Sequence, residues 1–176
     1  MLKPVSPKAR IFWPVLGSVF AADFITKRLV VMEISPAHVP HPVIGDFFRL
    51  TLAYNRDAAM GLSLGQYSRV GFAVTAAIIL VVLAAVYRGT PETSRAPVIA
   101  IALVAAGALG NLTDRLTSSL GVIDFIDIGI GDTRFYTFNV ADSAITCGAI
   151  LLALLSLKGE RETKRHVSEG RIQKET

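Results

Sequence analysis

The stretch Phe138-Asn139-Val140-Ala141-Asp142 leads into an apolar run over residues 145–157, which places an acid one turn inside a helix of membrane-spanning character. An ionised carboxylate at membrane depth costs roughly 3 kcal/mol or more, so it requires a partner, a water-filled pocket or a chemical task. A second acid, Asp124, stands just upstream among hydrophobic residues in Val122-Ile123-Asp124-Phe125. Two carboxylates brought together at a membrane surface are the minimum equipment of an aspartyl hydrolase.

The rest of the chain fits a membrane setting. Its 176 residues suffice for a single domain. They are 52% hydrophobic and only 18% charged, with a mean hydropathy of +0.51. Ordinary soluble domains carry about a quarter charged residues. The net charge of +4 does not point to nucleic acid, because six Lys and Arg lie after Leu157 interleaved with four Glu. Such a mixed tail reads as a solvated end. The single cysteine, Cys147, excludes an intrachain disulfide, and its apolar surroundings favour packing over thiolate chemistry.

A hydrocarbon core about 30 Å thick needs roughly 20 helical residues. Four stretches approach this: 11–31, 70–87, 97–116 and 138–157. They are joined by outer loops at 32–69 and 117–137 and followed by a tail at 158–176, all in one membrane-embedded domain. The second span, through Ala73-Val74-Thr75-Ala76-Ala77-Ile78-Ile79-Leu80-Val81-Val82-Leu83, holds no charge. Lys3, Lys8 and Arg10 precede the first span, Arg88 and Arg95 bracket the link between the second and third, and the basic tail follows the fourth. The excess of basic residues makes that side cytoplasmic. A basic start, an apolar run at 11–20 and Ala21-Ala22 imitate a cleaved signal. Leu29-Val30-Val31 resumes the apolar pattern, so a retained first span is expected.

In the first outer loop Phe48, Leu50, Leu52 and Tyr54 alternate with Arg49, Thr51 and Ala53, the period of a strand. Pro36, Pro40 and Pro42 predict an extended connection before it, and residues 61–69 a short interfacial helix. His38 and His41 read as loop residues without a metal-ligand pattern.

Topology gathers the polar groups at one depth. At 1.5 Å per residue, Asp23 lies in the outer half of the first span with Lys27 one turn further out. Gly110-Asn111-Leu112-Thr113-Asp114-Arg115 ends the third span on the same side, and Asn139 and Asp142 begin the fourth there. Asp124, Asp127 and Asn55 belong to the outer connections. Asp23 and Lys27 are four apart in the order that favours a helical ion pair, and a structural pair is the simpler reading. Asn139 and Asp142, three apart, share a face. Gly107 and Gly110 open the third span to close approach by a helix or substrate. Plainer roles stand beside these. Asn139 suits an N-cap, Asp142 a first-turn acid complementing the helix dipole, Asp114 a headgroup-level cap, and Asp127 and Asp132 loop positions.

Taken together, Asp23-x-x-x-Lys27, Tyr54-Asn55-x-x-Ala58-Ala59, Gly110-Asn111-x-x-Asp114-Arg115, Val122-Ile123-Asp124-Phe125-Ile126-Asp127 and Phe138-Asn139-Val140-Ala141-Asp142 resemble the bacterial lipoprotein signal peptidases, or signal peptidase II. The blocks run in order from the first span to the last. Asp57 and Met60 depart from the Gly and Phe usual after the asparagine, Phe24 replaces a common glutamine, and Phe135-Tyr136-Thr137 stands where Trp-Pro is usual.

The resemblance implies an all-α membrane protein of four transmembrane helices with a small extracytoplasmic β-layer. It implies an aspartic endopeptidase that cuts diacylglyceryl-modified prolipoproteins at the lipidated cysteine. The catalytic pair maps onto Asp124 and Asp142. Asp23, Lys27, Asn55, Gly110, Asn111, Arg115 and Asn139 map onto supporting or substrate-binding positions. No metal or cofactor is expected, and the partners are prolipoprotein substrates and membrane lipids, the protein acting as a monomer. The competing reading is a small proton-coupled carrier, whose acids belong nearer the midplane, in repeated halves; no internal repeat is visible.

Overall fold

The computed structural model describes residues 5–57 and 65–175, with side chains described as far as Gly159. Ala58, Ala59 and Met60 of the asparagine motif lie outside the described residues. Four helices form: α1 (Ala9–Glu33), α2 (Ser68–Gly89), α3 (Arg95–Thr117) and α4 (Val140–Glu175). Among the described residues there are also four strands: β1 (Pro40–Ile44), β2 (Phe48–Asn55), β3 (Val122–Ile130) and β4 (Thr133–Arg134).

α3 is the central helix, packed against α1, α2 and α4. Its buried face is built from Ala100, Ala102, Ala105, Ala106, Gly107, Ala108 and Gly110. Small residues let helix backbones approach closely where lipid removes most of the hydrophobic drive between helices. A Cβ on Gly107 would meet the Ala141 carbonyl oxygen and the Ile145 side chain of α4. Gly107→Ala is therefore expected to cost about 1–3 kcal/mol through overpacking. A lowered thermal midpoint in detergent checks this, and an unchanged midpoint contradicts it. α2 instead turns Val70, Val74, Ile78, Val81 and Val82 outward.

Among the described residues, three helical segments, Gly65–Gly89, Arg95–Thr117 and Val140–Gly159, are long and apolar enough to cross a membrane. The expected fourth, α1, is 25 residues long but is not among them. It carries Arg10, Asp23, Lys27, Arg28 and Glu33. α4 also differs from expectation by continuing helical through the tail to Glu175. Strong helix formers such as Glu, Lys and Arg, with no proline after Leu157, account for this. Of the predicted interfacial helix, residues 61–64 lie outside the described residues, and Gly65–Tyr67 is a single 3-10 turn running into α2.

The β-layer is larger than the one predicted strand. The strands form an antiparallel sheet in the order β1-β2-β3-β4. β1 occupies the proline-rich segment, and β3 the segment read as a connection. Ala53 pairs with Asp124 and Asn55 with Val122, while an irregularity between Leu50 and Ala53 re-aims β2. The sheet closes over one end of the helices. Leu52, Ile123 and Phe125 bury themselves against Val30 and Ile34 of α1. A separate cluster of Phe12, Leu83, Val98, Ile101, Ala102, Val104 and Ala105 fills the other end. Asp23, Lys27, Asn111 and Asp114 lie between these clusters along α1 and α3.

Candidate active site

The start of α4 organises the site. Asn139 is its N-cap, with Oδ1 accepting the Asp142 N–H at 2.8 Å. Asp142 returns the bond, Oδ2 accepting the Asn139 N–H at 3.2 Å. This reciprocal capping box satisfies two backbone donors and fixes both side chains. The plain readings of the two residues hold, and they coexist with a second use. The other Asp142 oxygen accepts the Asn111 amide at 2.8 Å. The Asn139 amide nitrogen donates to Asp124 Oδ1 at 2.7 Å. From β2, Asn55 donates to Asp124 Oδ2 at 3.1 Å. The two acids, 18 residues apart in sequence, are thus held by a single asparagine that is wholly buried.

Asn55 is itself aimed by an Asx turn, its Oδ1 accepting the Asp57 N–H at 3.0 Å. Asp57, the residue that replaces a glycine, accepts the Ser68 hydroxyl at 2.7 Å.

Behind the acids lies a buried ionic cluster. The Lys27 ammonium contacts Asp23 at 2.8 Å and Asp114 at 2.8 Å. It also donates to Asn111 Oδ1 at 3.1 Å. Asp23 accepts the Ala141 N–H of the α4 first turn at 2.9 Å, the arrangement favoured at a helix N-terminus. A Cβ on Gly110 would strike the Asp23 carboxylate, so the glycine makes room for it. Arg115 turns another way, donating to the carbonyls of Asn111 and Asp57 and lying 5.7 Å from the Phe72 ring centroid. Its buried Nε has no partner among the described residues.

The family model for signal peptidase (SPase) II matches residues 15–158. The chain belongs to the signal peptidase II family. It is 39% identical over 142 residues to a lipoprotein signal peptidase of Streptomyces coelicolor, covering 80% of this chain and 67% of that one. The Rhodococcus jostii lipoprotein signal peptidase is 38% identical over 165 residues, covering 89% and 78%. That of Francisella tularensis subsp. novicida is 37% identical over 142 residues, covering 79% and 86%. A bacterial membrane enzyme solved by the in meso method at 2.3 Å superposes with a TM-score of 0.73 at 33% identity, covering 82% of this chain and 85% of that one. Nothing in these matches favours a carrier.

This signal peptidase II family member departs from the sequence reading at two acids. Asp114 is not a headgroup-level cap. It is 4% exposed, paired with Lys27, and accepts the Ile123 N–H of β3 at 3.3 Å. Asp127 is not a loop acid. It is a buried residue of β3 held by Arg49 at 3.0 Å, Thr51 at 2.8 Å and Arg134. Asp124 and Asp127 are three apart on a strand, so they face opposite sides.

Electrostatics separate these two acids as well. Burial, followed by the charge of Asp142, pushes Asp124 up to about 7 against the opposing amides of Asn55 and Asn139. At Asp127 burial also acts upward, but Arg134, Thr51 and Arg49 outweigh it and hold the carboxyl below its ordinary range. Asp127→Ala is expected to lower the thermal midpoint, because it strips Arg49 and Arg134 of their shared buried carboxylate, while leaving precursor cleavage within several-fold of wild type, because Asp127 faces away from Asp124. Loss of cleavage as deep as that of Asp124→Asn would move Asp127 into the active site.

Proposed function

We propose that this chain is an aspartic endopeptidase of the bacterial cytoplasmic membrane that removes signal peptides from diacylglyceryl-modified prolipoproteins, cutting on the N-terminal side of the lipidated cysteine. The observation carrying this reading is the pairing of Asp124 and Asp142 through Asn139. Asp124 and Asp142 are the catalytic pair. Two carboxylates in a low-dielectric site share a proton near neutral pH. The ionised member takes a proton from water as its oxygen attacks the scissile carbonyl. The protonated member donates to the carbonyl oxygen. Collapse of the gem-diol breaks the C–N bond: the now-protonated member gives its proton to the departing amine, and the now-ionised member takes one hydroxyl proton of the gem-diol, restoring the shared proton. The amides of Asn55, Asn111 and Asn139 hold the acids without adding charge. Arg115 engages a substrate carbonyl or a lipid headgroup.

The chain spans the bilayer four times, with α1 as the fourth span and the site at the outer leaflet. The buried Asp23–Lys27 pair supports this, because it neutralises two of the five charged residues that α1 carries. Both termini are cytoplasmic. In support, Lys8 donates to the carbonyls of Tyr87 and Thr90, which brings the start of α1 to the basic link between α2 and α3. At the opposite end Phe135 and Tyr136 are exposed, as suits an aromatic belt at the membrane interface. A site there lets the diacylglyceryl chains remain in lipid while water reaches the peptide bond. The enzyme works as a monomer.

The test is purified protein in lipid with two precursors, one diacylglyceryl-modified and one with the acceptor cysteine changed to serine. Cleavage of the modified precursor alone is expected. Equal cleavage of both, or of neither, contradicts the proposal.

A further inference from the structure

Asn111 supports Asp142 only while its amide points one way. Rotating the amide by half a turn would present an oxygen to the carboxylate and remove the hydrogen bond. Two donors converge on Asn111 Oδ1: the Lys27 ammonium at 3.1 Å and the Asn139 amide at 3.2 Å. An ammonium has no acceptor capacity, so the rotated amide would face two donors with its own NH2. The Asn139 amide is itself locked, because its oxygen accepts the Asp142 N–H at 2.8 Å. Lys27 is held in turn by two acids on different helices, Asp23 on α1 and Asp114 on α3. Asp114 reaches one step further, accepting the Ile123 N–H beside Asp124, while the Ile123 carbonyl accepts from Asn139 at 3.2 Å. Both peptide groups of Ile123 are therefore restrained by this cluster.

We infer that Lys27 and Asp114 are positioning residues that set the orientation of the Asn111 amide, so that its NH2 faces Asp142 and the Asp124–Asp142 pair is held ready for reaction. Neither residue touches the two acids directly by a hydrogen bond. They act through Asn111 and the Ile123 backbone. This inference rests on the catalytic assignment above, and its test separates the two.

The paired variant Lys27→Met/Asp114→Asn removes one cation and one anion together, leaving Asp23 its bond to the Ala141 N–H. Four enzymes are compared for kcat and KM on a diacylglyceryl-modified precursor: wild type, the paired variant, Asn111→Ala, and all three changes combined. The paired variant is expected to lose about tenfold in kcat with KM within about twofold, the scale of one hydrogen bond to a charged group. If it acts through Asn111, the combined enzyme is no slower than Asn111→Ala alone. A paired variant that folds and keeps kcat within about twofold of wild type overturns the inference, as do losses that multiply in full.

Should the paired variant not fold, solid-state NMR on the wild-type enzyme decides. Strong dipolar coupling of Asn111 15Nδ2 to the Asp142 carboxyl carbon is expected, and strong coupling to the Lys27 13Cε instead overturns the inference. Asp124→Asn and Asp142→Asn are assayed alongside. If these two remain active, the catalytic assignment fails. If they are inactive while the Lys27 and Asn111 effects multiply, only the positioning inference fails.

Discussion

Asp124→Asn is expected to lower kcat for precursor cleavage by roughly 10²–10⁴-fold, the range for loss of one general acid–base group. The substitution keeps the side chain's size, so Asn55 and Asn139 retain a neighbour of the same shape. What disappears is the titratable proton, together with one of the two hydrogen bonds that Asn55 and Asn139 donate. A second signature accompanies it, because the Asp124 carboxyl stands at about 7 in the folded protein against an ordinary 3.8. Between those values the folded protein holds a proton that the unfolded chain releases. The stability this group contributes is full below pH 3.8 and is lost as the pH rises through about 7. The thermal midpoint of wild type should therefore decline across that window more steeply than that of Asp124→Asn. Equal slopes would contradict the raised acid.

Lys27→Met is expected to produce the largest loss of stability, about 3–5 kcal/mol, the cost of breaking a buried ion pair by removing one partner. Lys27 is 2% exposed, Asp23 1% and Asp114 4%, so removing the ammonium strands two enclosed carboxylates. Adding Asp114→Asn should recover much of the loss by taking one of those charges away. Thermal unfolding of purified protein in detergent measures both. A single variant as stable as wild type would show that the cluster does not hold α1 to α3.

The helices were legible because apolar runs of span length are a signal that tertiary context rarely overrides. β2 was legible through the alternation of Phe48, Leu50, Leu52 and Tyr54. β3 was not, although Val122, Ile123, Ile126 and Ile128 favour strands. Val122 through Phe125 are buried without a break, so both faces are covered and the period-two pattern vanishes. The C-terminal end of α3 shows the same limit at single residues. Asn111 stood out beside Gly110, but its amide partners, Lys27 and Asp142, come from α1 and α4. Asp114 was misread because spacing reports neighbours on one helix, whereas its partners come from α1 and β3. Asp127 was misread likewise, since Arg49 lies 78 positions away across the sheet. The Asp23–Lys27 pair, local to one helix, was read correctly.

The capping box explains why Asp142 is compatible with a helix entering the membrane. The α4 N-terminus supplies Asp142 with the Asn139 N–H, and α3 supplies the Asn111 amide. An acid that would be costly in an isolated apolar helix is thereby placed beside a second acid with its hydrogen bonds already made.

The most direct measurement is turnover of a diacylglyceryl-modified precursor by purified, folded Asp142→Asn enzyme beside wild type, with the product identified by mass spectrometry. Wild type is expected to release a chain beginning at the lipidated cysteine, and the variant to release essentially none. Wild-type turnover by Asp142→Asn, with the same product, would contradict the assignment of Asp124 and Asp142 as the catalytic pair.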